Sequence, residues 1–356
     1  CLMVLANDTS SDPTIHIAGD EDTLGIYPFN MPIKLSKFLA TLKPMQSTSD
    51  ALFSQIVPEQ DEDKMQIVQT PASCSAPAQK QQNLMNSPRI DDLYENDAQD
   101  VTDYIKDVMT NLKSREHAHQ VINYDYLKRQ EKINNSMRFV LIDWLLEVHK
   151  KVKLFPETMY LCVNILDRFL ERQPVSKDKF QLVGATALFI ASKYEDIYHI
   201  DIDGLIKLCA DIYTRDDFLM MESVMLSALE YNLTVVTSWP FIERFVRCAD
   251  CSEKGQLMAY YFSELAFLDE KFLQYEPSRI ASSCILLASI MDRVQSPWSE
   301  VMQYYSGYER EDLLPCCRLL LEMARKEPKG MNKKYQKNKY MQLAYFVPNF
   351  ARELEL

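Results

Sequence analysis

From Asp100 onward the apolar positions fall at helical spacing. Asp100-Val-Thr-Asp-Tyr-Ile-Lys-Asp-Val-Met places Val101, Tyr104, Ile105, Val108 and Met109 on one face. Acidic residues crowd its first turns, where a helix dipole favours them. Residues 135–330 predict a succession of helices with starts at Pro156-Glu157, Ser176-Lys177-Asp178, Thr214-Arg215-Asp216, Ser238-Trp239-Pro240 and Pro277-Ser278. No period-2 strand stands out. Two segments of small and apolar residues repeat 97 residues apart: Leu182-Val-Gly-Ala-Thr-Ala-Leu-Phe-Ile-Ala-Ser192 and Arg279-Ile-Ala-Ser-Ser-Cys-Ile-Leu-Leu-Ala-Ser289. Each follows an amphipathic helix, Thr158 to Leu170 and Leu257 to Leu268. A helix apolar on all sides belongs at a domain centre. The repeat therefore predicts an all-α chain with two similar helical domains in tandem, each wrapped around its central helix.

Residues 1–98 follow another pattern. They hold 8 of the 16 prolines, with Ser, Thr, Gln and Asp common, and patches such as Ile26-Tyr27-Pro28-Phe29 settle into no period. This reads as a disordered arm in which Ile33 to Leu42 could form a short helix. The arm is acidic, with 14 acidic and 6 basic side chains, and the chain as a whole carries −12. The balance argues against nucleic acid as a partner.

Composition narrows the function further. Apolar residues make up 47% of the 356, enough for sizeable cores, yet there are only 7 glycines and no GxGxxG or GxxxxGK. Phosphate-cradling loops need glycine for close backbone approach, so a nucleotide-binding enzyme is not expected. The five histidines, His16, His117, His119, His149 and His199, form no triad or metal pattern. The nine cysteines are scattered, and Cys248-Ala-Asp-Cys251 lacks the second pair that zinc requires. No cofactor and no metal are expected. The longest mostly apolar run, Leu182 to Ala191, falls short of the ~20 residues of a membrane span, so no membrane partner is expected. The first residue is Cys1, and the opening lacks a charged region before its apolar patch, so the chain is expected to be a fragment rather than to begin with a signal peptide.

Met137-Arg-Phe-Val-Leu-Ile-Asp-Trp-Leu-Leu-Glu-Val148 closely resembles the first helix of the cyclin box. Glu157-Thr-Met-Tyr-Leu161, Asp167-Arg-Phe-Leu170, Gln181-Leu-Val-Gly184, Ala191-Ser-Lys-Tyr-Glu-Asp196 and Lys334-Tyr335…Lys339-Tyr340 follow at the family's distances. The resemblance covers roughly 99–345 and is to cyclins of the A/B (mitotic) type. Glu147 and Asp167-Arg168-Phe169-Leu170 look A-like; Ser192-Lys-Tyr-Glu-Asp196 and Tyr304-Tyr-Ser-Gly-Tyr308 look B-like. It implies two tandem five-helix cyclin boxes behind an N-terminal helix. The expected division is a disordered arm over 1–98, N-terminal helix and linker over 99–134, a first box over 135–233, a second over 234–330 and a tail over 331–356 that packs on the boxes. The chain departs from the family in two places. His199-Ile200 stands where two prolines usually follow the Ile197-Tyr198 pair. Residues 1–100 hold neither an RxxL nor a KEN sequence, and Arg138-Phe-Val-Leu141, which matches RxxL, lies inside the first box helix.

Two candidate sites emerge. On the helix from Met137, one stripe holds Met137, Val140, Leu141, Trp144 and Val148, with Glu147 at its rim. A nearly opposite stripe holds Phe139, Ile142, Leu145 and Leu146. Two stripes mean either complete burial, the commoner arrangement, or burial on one side and a groove on the other. The resemblance implies the groove, which in this family docks short Arg-x-Leu peptides, with Met137, Val140, Leu141, Trp144, Glu147 and Gln181 at matching positions and Lys177 where arginine is common. The second site is Lys193 with Glu222. On composition alone both are solvated charges. The resemblance implies that they bond to a kinase, with Ile190, Tyr231 and Leu233 as the apolar part of that interface and Val101 and Tyr104 of the N-terminal helix beside it. The lysines at 326, 329, 333, 334, 337 and 339 read as a solvated tail rather than a targeting signal.

The implied function is that of a non-enzymatic subunit that binds and activates a cyclin-dependent protein kinase and recruits substrates and inhibitors bearing Arg-x-Leu, in nucleus and cytoplasm. The alternative is a transcription or peptide-binding module of the same tandem helical fold without a kinase partner.

Overall fold

The structure is a computed structural model, and it describes residues 103–118 and 120–354. The expected disordered arm, the short helix at 33–42 and Val101 lie outside the described residues. Among the described residues there is no strand.

The first helix, α1, spans Ile105–Arg115, later than the Asp100 start read from the sequence. Five helices follow: α2 (Asn135–Val152), α3 (Pro156–Arg172), α4 (Lys177–Glu195), α5 (Ile202–Leu208) and α6 (Arg215–Ala228). A second set of five is α7 (Trp239–Cys248), α8 (Glu253–Ala266), α9 (Pro277–Met291), α10 (Glu300–Ser306) and α11 (Arg310–Arg325). Two more helices, α12 (Lys329–Tyr335) and α13 (Leu343–Glu353), close the chain, so the terminal segment begins just before residue 331.

Local chemistry sets these boundaries. Asn134 caps α2 by accepting from Met137 N, and Lys153 ends it in the left-handed region. Proline opens α3 and α9 at positions whose N–H has no helical partner anyway. Thr214 and Asp217 form a reciprocal capping box at α6.

The two repeated segments are the hubs. Every residue from Leu182 to Ser192 in α4 is buried, and α4 packs against α2, α3 and α6. In α9, Ala281 to Ser289 are buried, and the helix packs against α7, α8 and α11. Small residues permit the close approach. A Cβ on Gly184 would stand 2.8 Å from the Leu141 methyl carbons, so α2 seats on α4 only because residue 184 has no side chain.

A buried polar network joins the two sets. The Arg138 guanidinium donates from Nε and Nη2 to both oxygens of Asp167, each at 2.7 Å, and from Nη1 to Phe267 O at 2.8 Å. Tyr126 Oη donates to Asp167 Oδ1 at 2.7 Å. All three side chains are essentially inaccessible. Burial, the largest single effect, lowers the Arg138 pKa, but the Asp167 charge, the Tyr126 hydroxyl and the hydrogen bonds to both together outweigh it, and the net direction is upward. In the Arg138-Phe-Val-Leu141 sequence both Arg138 and Leu141 are thus buried, with Arg138 committed to Asp167.

The end of α1 straps onto the second set. Glu116, 2% exposed, accepts from Ser278 N at 3.0 Å and so caps α9. Lys113 Nζ donates to Ser278 Oγ at 2.8 Å and to Ser306 O at the end of α10.

Candidate functional site

Lys193 sits in the last turn of α4 and Glu222 in the middle of α6. Packing of α4 against α6 brings them together as an ion pair, Nζ to Oε1. Lys193 Nζ also lies 4.3 Å from the centroid of the Phe189 ring. The lysine side chain is 36% exposed and the glutamate 13%. The pair is therefore neither fully solvated nor core. It is a partly exposed ion pair where α4 meets α6.

Apolar side chains stand open around it. Tyr231 is 69% exposed and Leu233 half-buried. Ile190, which the resemblance placed in the interface, is buried; in the chain alone it belongs to the core beneath this face. Tyr104, ahead of α1, is exposed. Four further residues escaped the sequence reading. Met220 and Val224 are exposed two positions either side of Glu222, and Ile197 and Tyr198, just after α4, are 79% and 89% exposed. Met220 and Val224 are spaced i, i+4, a signal that also fits core packing. Ile197-Tyr198 lies in a loop where periodicity says nothing.

The two stripes of α2 differ in exposure. Ile142, Leu145 and Leu146 of the second stripe are buried, with Phe139 half-buried. On the first stripe Val140 is 43% exposed, and Met137 and Trp144 are half-buried. Leu141 and Val148, read in the same stripe, are buried. Leu141 is the side chain pressed on Gly184. Gln181 and Lys177, both half-buried, lie one and two turns before Gly184 on the face of α4 that meets Leu141. The Trp144 indole N–H has no acceptor among the described residues. Glu147 is exposed at the rim, with Lys333 Nζ 3.9 Å from its Oε1.

The lysine-rich terminal segment is anchored here. Gly330 N and Met331 N donate to Asp143 Oδ2 and Oδ1 at 2.9 and 3.1 Å, which fixes the start of α12 against α2. Lys334 forms an ion pair with Glu264. The CxxC pair has no comparable setting. Cys248 is buried, and Cys251 Sγ lies 3.2 Å from Ser289 Oγ with its thiol pKa raised by burial.

Residues 107–234 match the family described as "Cyclin, N-terminal domain", and residues 236–349 match "Cyclin, C-terminal domain". Among curated proteins, Cyclin-B2-2 of Arabidopsis thaliana is 34% identical over 259 residues, covering 72% of this chain and 60% of that protein. Cyclin-B2-4 of the same plant is 34% identical over 291 residues, covering 80% and 67%. G2/mitotic-specific cyclin-1 of Medicago sativa subsp. varia is 34% identical over 266 residues, covering 73% and 62%. The chain thus spans 60% to 67% of the length of these relatives. Among solved structures, a viral cyclin from herpesvirus saimiri superposes with a TM-score of 0.56 at 21% identity, covering 63% of this chain and 99% of that one, a likeness of fold.

Proposed function

Because this chain belongs to the cyclin family, of the mitotic B type, we propose that it is a regulatory subunit that binds a cyclin-dependent protein kinase and switches it on during cell division. The observation that carries this reading is the Lys193–Glu222 pair at the junction of α4 and α6, set among exposed Tyr231, Met220 and Val224. Exposed apolar area around a fixed polar pair is the composition of a specific protein interface. Such a face would act by selection. A kinase whose ATP-orienting Lys–Glu pair is broken samples the assembled arrangement rarely, and a surface that binds only that arrangement shifts the population toward it. The phosphoryl-transfer chemistry belongs to the partner.

The α2–α4 groove supports a second element of the reading, recruitment of substrates and inhibitors through Arg-x-Leu. Buried Leu141, open Val140 and half-buried Trp144 suit the leucine. The rim carboxylate of Glu147 suits the arginine.

The test is the double variant Lys193→Glu, Glu222→Lys. Exchanging the charges keeps an ion pair between α4 and α6, so helicity and melting should stay within ~0.5 kcal/mol of the parent. The face presented to a kinase is reversed, and losing charged interface bonds costs ~2–5 kcal/mol. Binding to a monomeric cyclin-dependent kinase, and the histone-kinase activity it confers, should fall at least tenfold. Parental affinity in a folded double variant would remove the pair from the interface.

A further inference from the structure

The lysines at the end of α2 and those of α12 are brought face to face. The register is fixed, since Gly330 and Met331 bond Asp143 and, one turn on, Lys333 meets Glu147. α12 ends at Tyr335, and the chain then turns through Asn338–Tyr340, where Tyr340 packs back on Tyr335 with ring centroids 4.9 Å apart, which keeps the charges of Lys337 and Lys339 near Lys150. Two carboxylates temper the cluster, Glu147 toward Lys333 and Glu264 toward Lys334. Lys150 itself is half-buried. Burial first, and then the charges of Lys337, Lys334, Lys339 and Lys333, bring its pKa down to about 8. At neutral pH it is therefore still an ammonium packed among ammoniums.

Such an arrangement works against folding, because like charges held close repel. It stands on a chain whose net charge is −12, so it is a local concentration of positive charge against the overall balance. It also adjoins the groove, because Glu147 belongs to the groove's rim and contacts Lys333 of the cluster. The direction of a bound peptide follows from the same residues. In Arg-x-Leu the arginine precedes the leucine. With the leucine over Val140 and Trp144 and the arginine at Glu147, the residues before the arginine run toward the C-terminal end of α2. Extended chain covers ~3.3 Å per residue, and Lys150 is one helical turn beyond Glu147, so the first few preceding residues reach the lysines.

We propose that Lys150, Lys337 and Lys339 form a subsite for an acidic segment, rich in Asp or Glu, lying immediately N-terminal to the arginine of a groove-bound peptide. The proposal rests on the groove reading above and adds the chemistry of the flanking sequence. The lysines would select among motif-bearing partners by charge, and an arriving carboxylate would relieve the repulsion within the cluster.

The experiment measures fluorescence anisotropy of the full chain with three labelled peptides. One carries Arg-x-Leu after a neutral extension, the second carries it after a run of aspartates, and the third carries the aspartates without the motif. The aspartates should tighten binding about tenfold at low salt, and the gain should shrink as salt shortens the Debye length. Lys150→Glu with Lys337→Glu should abolish that gain and leave the neutral peptide's affinity unchanged. The milder pair Lys150→Gln, Lys337→Gln, which retains most of the half-buried stem, should lose most of it and serves if the charge reversal unfolds. Equal affinities for the first two peptides, or a gain that survives both variants, would overturn the proposal. A gain with phosphoserines in place of aspartates, but none with aspartates, would overturn the carboxylate assignment. If neither motif peptide binds, the groove reading has failed, and the third peptide then decides. Lysine-dependent binding of it sustains the subsite, and its absence overturns that as well.

Discussion

Asp167→Asn tests the network that joins the two sets of helices. The substitution keeps the shape of the side chain and an oxygen for Tyr126, but it removes the charge that answers Arg138. Arg138 and Asp167 are 1% and 0% exposed and bonded at 2.7 Å through both oxygens. The guanidinium would then remain buried without its counter-ion. Breaking one partner of such a pair costs ~3–5 kcal/mol. At ~2–4 °C of melting temperature per kcal/mol for a unit of this size, the Tm should fall by about 6–20 °C. The assay is urea and thermal unfolding of the full chain followed by helical circular dichroism. A companion variant, Arg138→Met with Asp167→Leu, removes both charges and should recover much of the loss, since apolar replacement of a buried pair is often close to neutral. A loss under ~1 kcal/mol in Asp167→Asn would mean that the bidentate pair contributes little or that water reaches it, and the reasoning would fail.

Glu147→Lys should leave folding and activation of a kinase toward a motif-free peptide intact while raising KM for Arg-x-Leu substrates, so the ratio of kcat/KM with and without the motif should drop, and an unchanged ratio would exclude this face from docking. Gly184→Val forces a side chain into Leu141 and should cost ~1–3 kcal/mol in urea unfolding, more than Gly184→Ala, because Leu141 must shift. Burial holds the His149 pKa below its usual 6.5, so the unfolded chain takes up this proton first as pH falls. Stability should therefore decline below about pH 6.5, and His149→Gln should flatten that part of the profile measured by urea unfolding.

Much of the fold was written in local signals. Pro156, Thr214 and Pro277 mark helix starts because the chemistry of a first turn is local, and both central helices announce themselves by being apolar all round. Pairings between distant segments were less legible. The sequence shows Lys193 and Glu222 as two charges, and only the packing of α4 on α6 makes them a unit. Nothing near Glu116 signals that it caps a helix 162 residues away. Its acceptor role is invisible without the partner's N–H. Likewise, the lysines after 326 read as a solvated tail because their register against α2 depends on Asp143, which looks like any helix acid. Ile190 and Leu141 were placed at surfaces by resemblance. A side chain beneath an interface and one within it share a helix face, so periodicity cannot separate them.

The strap from α1 to the second set of helices also bears on how the chain is made. Glu116 leaves the ribosome long before Ser278, so it must wait for the second set of helices before it can cap α9. A contact spanning that much sequence closes late, after the local helices have formed and the loop entropy has been met. Until then the start of α9 lacks an acceptor for Ser278 N, and Lys113 has no Ser306 carbonyl to meet. The start of α9 therefore draws its cap from a helix made long before it. A nick between Glu116 and Gln120, made before that closure, would sever α9 from its cap even though every residue of the helix is present.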